Sequence, residues 1–213
     1  MELTQRDYLI LRTVHKFRFC LGRQIMKLAG FNGQRATDRR LRTLVDGSYI
    51  KRQKYLYGTP YLYTLTHKGR ILISVNKREE KIRVDQIFHD IYVVDAVIFF
   101  IAKYSLSLKD IDSEKELHIK DGFGNRKHQP DFVFTTDEKG KKYAVEIELN
   151  LKTKGVLEKN IKSNFLNYDG QIWITNNKKV LEEIQSLKPK YSNIKILFST
   201  LSTGGMETCQ EVI

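Results

Sequence analysis

Two acidic residues one position apart, Glu146 and Glu148, interrupt the apolar run Ala144-Val145-Glu146-Ile147-Glu148-Leu149. In a strand, alternate residues share a face, so the two carboxylates point one way while Val145, Ile147 and Leu149 point the other. That predicts a strand with one core face and one acidic face. Like charges on neighbouring positions of one face repel, and they gain little for stability unless a cation lies between them. A short strand from Asp131 to Thr136 precedes them, across a polar turn at Asp137-Glu138-Lys139-Gly140. The resulting hairpin brings Asp131 beside the pair. Three oxygen donors so gathered, Asp131, Glu146 and Glu148, suit Mg2+ or Mn2+. Lys152 adds a positive charge to the same neighbourhood. Such a site has the parts for cutting a phosphodiester: metal charge on the scissile phosphate and the leaving oxygen, and a lysine to hold the phosphate or orient an attacking water. The plainer alternative is an exposed strand face whose glutamates pair with Lys141 or Lys142, which would contribute only about 0–1 kcal/mol.

These residues need a frame. Val84 to Tyr104 reads as one long, largely buried helix, with His89 and Asp90 near its start. Leu117 to Lys120 reads as a weak strand, Asp121 to Asn125 as a turn, and Asp131–Thr136 and Lys141–Leu149 as the hairpin strands. A helix is predicted over Gly155–Asn167, with Val156, Leu157, Ile161 and Phe165 at helical spacing. Gln171–Thr175 then reads as a strand, Lys178–Leu187 as a helix and Ile194–Ser199 as a strand. The order fits a mixed sheet flanked by helices. The tail from Leu201 carries no pattern.

The first third of the chain is different in kind. Residues 1–79 hold 17 Lys and Arg against 5 Asp and Glu, whereas residues 80–213 hold 20 of each, so the whole net charge of +12 resides in the first segment. A concentrated basic excess predicts a polyanion-binding module attached to a neutral second domain. The pattern there is that of a winged helix-turn-helix. Thr4 can cap a helix with Leu9, Ile10, Val14 and Phe17 inward. A second helix runs from Gly22 to Ala29 with Ile25, Met26 and Leu28 inward, and Gly30-Phe31-Asn32-Gly33 makes the turn. A third, Gln34 to Val45, is expected to bury Ala36, Leu41, Leu44 and Val45 while presenting Gln34, Arg35, Thr37, Arg39, Arg40 and Arg42 outward. Gln and Arg at that place suit base edges and phosphates of double-stranded DNA. Tyr49–Tyr57 and Tyr61–Thr66, joined by Gly58-Thr59-Pro60, look like a wing lined by Lys51, Arg52 and Lys54. Thr66 opens a further helix through Val75. The charged stretch Asn76–Lys81 is the expected boundary between a DNA-binding domain, 1–79, and a second domain, 80–213.

Taken together, Pro130-Asp131, Glu146-x-Glu148 and Lys152, set after a long helix and before a helix and a strand, resemble the PD-(D/E)xK restriction-endonuclease-like superfamily. The usual motif has lysine two residues after the glutamate, where this chain has Glu148. An Asp, Glu-x-Glu, displaced-Lys pattern behind an N-terminal winged helix is similar to the replication-relaxation family and to MobC-type relaxases of mobile elements. The resemblance implies an α+β protein in which a winged helix precedes a restriction-endonuclease-like domain. It implies Asp131, Glu146 and Glu148 at the metal, Lys152 as the displaced catalytic lysine, and His89 as a histidine of the long helix. The implied activity is Mg2+- or Mn2+-dependent nicking of an origin sequence, in company with other relaxosome or coupling proteins.

A second reading is a non-catalytic winged-helix regulator of replication or transcription whose second domain kept the fold alone. A third is a restriction- or transposon-type endonuclease. His15, His67, His89, His118 and His128 are too scattered for the histidine triad of HUH relaxases. Tyr143 and Tyr168 are tyrosines near the site, but water is the simpler nucleophile. Cys20 and Cys209 have no zinc-type spacing and no disulfide framework. The apolar run Val93–Ala102 contains Asp95 and is too short to span a bilayer. With no signal peptide at Met1-Glu2-Leu3-Thr4, a cytoplasmic protein without membrane association is expected.

Overall fold

The first helix, α1 (Gln5–Lys16), begins where Asp7 turns back on Thr4, accepting from its backbone N–H at 2.6 Å and its hydroxyl at 2.8 Å. Local chemistry of this kind fixes a helix start. The structure is a computed structural model and describes residues 2–75, 81–122, 127–136, 140–202 and 204–212. The expected boundary at 76–80, most of the loop after Asp121 and most of the turn before Gly140 lie outside those residues. The chain divides into two compact units, Met1–Val94 and Asp95–Ile213.

In the first unit α1 is followed by β1 (Cys20–Leu21), α2 (Gly22–Leu28), α3 (Gln34–Asp46), β2 (Ile50–Gln53), β3 (Leu62–Leu65) and α4 (His67–Leu72). The strands form an antiparallel sheet in the order β1-β3-β2, with Ile50 opposite Leu65 and Gln53 opposite Leu62. Ile10, Leu11, Val14, Leu21, Ile25, Leu41, Leu44 and Leu62 make the core. Leu9, expected inward, is exposed; the inner face runs through Asp7, Ile10, Leu11 and Val14, the i, i+3, i+4, i+7 set that leaves Leu9 a step off. Two further expectations reverse on α3. Ala36 is exposed and Thr37 is fully buried, its hydroxyl donating to the Gly33 carbonyl at 2.9 Å, so Thr37 faces the core rather than solvent. On α2 the inner face includes Gln24, which accepts from Leu21 N–H at 2.9 Å and donates to the Ile91 carbonyl at 2.9 Å.

The long helix α5 (Ile87–Tyr104) follows a single 3-10 turn at Val84–Gln86, and the division between units falls inside it. The second unit continues with β4 (Ile111–Ser113), α6 (Glu114–Asp121), β5 (Phe132–Thr135), β6 (Lys142–Ile147), α7 (Lys154–Asn167), β7 (Gly170–Thr175), α8 (Lys178–Leu187), β8 (Ile194–Ser202) and β9 (Gly205–Val212). The sheet runs β4-β5-β6-β7-β8-β9, antiparallel from β4 to β6, parallel from β6 to β8 and antiparallel again to β9. Leu117–Lys120 is helical rather than a strand. Ser113 starts α6, its N–H and hydroxyl both donating to Glu116 at 2.9 Å, and that cap decides the local structure. The patternless tail forms β9 along β8.

Register fixes which side chains share a face. Phe132 and Phe134 lie opposite Val145 and Tyr143, and Phe100 of α5 packs on both phenylalanines with ring centroids 6.0 and 5.1 Å away. On the other face Leu157 and Ile161 of α7, Trp173 of β7, Val180 and Ile184 of α8 and Ile196 of β8 form one cluster. Glu146 and Glu148 belong to this α7 side. The sheet is therefore mixed and flanked by helices, as the sequence predicts. Among the described residues no helix is long and apolar enough to cross a membrane.

Candidate functional site

β6 lies between β5 and β7, and from Ala144 to Ile147 its residues are buried on both faces of the sheet. Glu146 is 4% and Glu148 5% exposed, while Val145 and Ile147 on the opposite face are also buried. The hairpin partner and the alternation are as expected, but the acidic face is not a solvent face. That removes the reading in which these glutamates pair with Lys141 or Lys142 at the surface. Carboxylates taken out of water cost several kcal/mol each unless donors meet them, and here each is met. Asp131 accepts from the Ile147 N–H at 2.7 Å. Glu146 Oε1 is 2.6 Å from His128 Nε2 and accepts from Asn164 Nδ2 at 2.9 Å. Glu148 pairs with Lys152 at 2.5 Å, four residues on, and its own N–H extends the parallel ladder to the Ile174 carbonyl at 2.9 Å.

Charge links these four residues in addition to their hydrogen bonds. Burial pushes the Glu146 carboxyl above its ordinary value; His128 opposes that shift, the nearby charge of Asp131 adds to it, and Asn164 opposes it. For Lys152 burial works to lower the value, but the bond to Glu148 and the fields of Glu148, Glu146 and Asp131 together hold it above the ordinary lysine range. Asp131, Glu146, Glu148 and Lys152 thus form one electrostatic unit. His89 lies on the part of α5 that groups with the first unit, where its Nδ1 is 3.3 Å from Asp90 and Asp90 is 3.5 Å from Arg18.

Three side chains at this site escape a reading by spacing. His128 reaches Glu146 from the irregular segment just before Pro130-Asp131. Asn164 enters from α7. The inner face of that helix is Leu157, Asn160, Ile161 and Asn164; of the four apolar residues at helical spacing, Leu157 and Ile161 are buried and Val156 and Phe165 are exposed. Gln129 bridges Asp121 and Tyr168, donating to the Asp121 carboxylate and accepting from the Tyr168 hydroxyl at 3.3 Å. Burial, with the fields of Asp121, Glu146 and Asp112 added, pushes the Tyr168 phenol up to about 12. Tyr143 is a packing residue, its ring stacked on Phe134 at 5.2 Å.

In kind, the donors fit a hard divalent cation: three carboxylates and the buried Asn164 Oδ1, which has no hydrogen-bond partner. In arrangement, among the described residues no three His, Cys, Asp or Glu side chains are gathered as a metal-binding group.

In the first unit Arg35, Arg39 and Arg42 are exposed on α3, and Gln34 donates to Asp38 at 2.7 Å. Arg39 lines a cavity of about 540 Å³ with Arg6, Phe31 and Thr43. Arg40 has a structural engagement: it donates through Nε to the fully buried Asp7 at 2.6 Å, through Nη2 to the same carboxylate, and to the Glu2 carbonyl at 3.0 Å. Lys51 is half-buried on β2, while Arg52 and Lys54 are exposed, Arg52 lying 3.7 Å over the Tyr61 ring.

Comparison with known proteins bears on this arrangement. No curated protein matches the chain. The replication-relaxation family profile matches residues 11–163, a span that contains α3 of the first unit together with Asp131, Glu146, Glu148 and Lys152 of the second. With well over half of its length matched, the chain belongs to the replication-relaxation family.

Proposed function

We propose that this protein nicks DNA to start replication or transfer of a plasmid or integrative element, with Mg2+ or Mn2+ as cofactor. In this reading a winged helix-turn-helix over residues 1–79 selects the origin duplex, and a restriction-endonuclease-like domain over residues 80–213 cleaves it. Membership of the replication-relaxation family supports the role in replication or transfer. The order α1-β1-α2-α3-β2-β3, with Arg35, Arg39 and Arg42 exposed on α3, supports the DNA-binding assignment.

The observation that carries the catalytic reading is the placement of buried Glu146 and Glu148 on β6 and its exit, with Asp131 held on the intervening Ile147 N–H and Lys152 paired to Glu148. Two buried carboxylates with a third, half-buried one beside them are costly to keep, and a core gains nothing from them that apolar residues would not supply. A divalent ion held by Asp131, Glu146 and Glu148, with Asn164 Oδ1 available as a further donor, would supply charge neutralisation at the scissile phosphate and a more acidic water. Lys152, 40% exposed beside these acids, holds a phosphate oxygen. His128 and Asn164 fix the Glu146 carboxylate in one orientation. The raised Tyr168 phenol and the packed Tyr143 ring both favour water over tyrosine as nucleophile.

Supercoiled DNA from the protein's own element, incubated with wild type, Glu146→Gln and Lys152→Ala with and without Mg2+ or Mn2+, tests this. The expected result is metal-dependent nicking that falls about a hundred-fold or more in either variant. Wild-type nicking by Glu146→Gln refutes the site. One observation favours the non-catalytic reading, in which the second unit is purely structural: every carboxylate already has a protein donor. Intact origin binding without nicking in either metal would select it.

A further inference from the structure

The connection between β2 and β3 carries more than a wing needs. From Gly47 to Val75 the sequence has no aspartate or glutamate, and five of the chain's 11 tyrosines fall there, at 49, 55, 57, 61 and 63. Two of the five serve packing. Tyr63 is buried on β3, and Tyr49 is half-buried with the Lys68 ammonium 4.3 Å from its ring. Tyr61 is 43% exposed and Tyr57 wholly exposed. Cations accompany both: the Arg52 guanidinium lies 3.7 Å over Tyr61 and the Lys54 ammonium 5.7 Å from Tyr57.

The tip is built to hold Tyr57 outward. The Leu56 carbonyl accepts from the Thr59 hydroxyl at 2.7 Å and from its N–H at 3.4 Å, and Thr59 itself is buried. Gly58, at φ +75°, takes the left-handed position that such a turn requires. A tyrosine displayed on a pinned turn gains nothing for folding, so its ring is free surface for a partner.

We propose that this tip is a stacking platform for unpaired bases, so that the protein engages opened or single-stranded DNA next to the duplex held by α3. The proposal rests on the reading of the first unit as DNA-binding. Charge selects a polyanion, since Arg52 and Lys54 lie by the two exposed rings and residues 47–75 carry no acid. Ring chemistry selects an unpaired one: in a duplex the base faces are already stacked on each other, and an aromatic side chain can cover a base only where the stack is open. Arg52 already covers one face of Tyr61, which leaves the other face and all of Tyr57 to bases. A protein that starts replication or transfer by nicking meets such DNA at its own origin.

The test uses the full chain and two probes: a matched duplex, and the same duplex with a central unpaired bubble containing the fluorescent adenine analogue 2-aminopurine. Wild type is expected to bind the bubble more tightly than the duplex and to change the analogue's emission by stacking on it. Tyr57→Ala is expected to lose about ten-fold in bubble affinity and most of the emission change, with duplex affinity and thermal midpoint unaltered. Tyr57→Phe, which keeps the ring, retains both. Failure of wild type to bind either probe overturns the DNA-binding reading and this proposal with it. Duplex binding with no bubble preference, or a preference that Tyr57→Ala leaves intact, overturns the proposal alone and leaves the tip to a protein or lipid partner. Equal losses in Tyr57→Phe and Tyr57→Ala also overturn it, because the hydroxyl rather than the ring would then be the contact.

Discussion

Replacing Arg40 with alanine is expected to unfold the first unit more readily rather than simply weaken its grip on DNA. Asp7 has no exposed surface, and Arg40 supplies the Nε and Nη2 donors to its carboxylate, leaving only the two donors of Thr4 after the substitution. Removing half-exposed Arg40 strands the fully buried Asp7 carboxylate, at a cost of about 3–5 kcal/mol. In a domain of this size each kcal/mol is worth about 4–8 °C in midpoint, so the unit should lose well over ten degrees by that scaling, on the order of 12 °C at the least. The pH dependence gives an independent check. Burial works to raise the Asp7 carboxyl, but the bonds from Arg40 and Thr4 outweigh it and hold it below the ordinary range. The stabilisation is therefore fully present above the unfolded value and is lost as pH falls through the lowered one. Without Arg40 burial is opposed by Thr4 alone, and the carboxyl takes up its proton at higher pH. The deficit of Arg40→Ala relative to wild type should then shrink as pH falls from neutrality toward the carboxylate range. Urea unfolding followed across that range measures it. A variant with wild-type stability but weakened DNA binding would refute the structural role, as would a deficit that stays constant with pH.

Glu146→Gln should stabilise the metal-free second unit at neutral pH. The raised Glu146 carboxyl makes the wild type lose stability as pH rises through that value, and denaturant unfolding against pH should show the slope in wild type and not in the variant. Asn164→Leu removes a donor from buried Glu146 and is expected to cost about 1–3 kcal/mol at neutral pH by the same measurement. Tyr168→Phe should leave nicking intact, and labelled product on denaturing gels should carry no protein at its 5′ end; retained label that protease releases would show tyrosine chemistry. Gly69→Ala places a Cβ 2.1 Å from the Tyr49 carbonyl oxygen, a backbone atom that cannot step aside, and should destabilise the first unit by about 1–3 kcal/mol or more in thermal melts.

What the sequence disclosed follows from how far each signal reaches along the chain. Helix α8 is read residue for residue because its apolar positions, Val180, Ile184 and Leu187, recur at helical spacing. The Glu146-x-Glu148 alternation was legible for the same reason. Helix α6 was misread because its apolar residues are few, while its true signal was the Ser113-x-x-Glu116 cap. The apolar spacing of α7 predicts the helix but not its whole inner face, which Leu157 and Ile161 share with Asn160 and Asn164. Over buried carboxylates the inward residues must donate hydrogen bonds, so Asn164 turns in and Phe165 out. Thr37 turned inward because its hydroxyl can return to a carbonyl one turn back, which spares it the usual polar penalty. His128 was opaque because its partner stands 18 residues away on the far side of a hairpin.

The hairpin of β5 and β6 has a consequence for the order in which this unit assembles. Asp131, Glu146, Glu148 and Lys152 come from one hairpin and its exit, so short loop closures bring them together, and contacts of low sequence separation form early. At that stage water still solvates the acids and their repulsion is weak. The parallel pairing of β6 with β7 needs the α7 crossover, and it is α7 that lays Asn164 over Glu146. The electrostatic cost of the site therefore falls on the late docking of one helix, the step at which folding of this unit should respond most strongly to acid or to divalent salt.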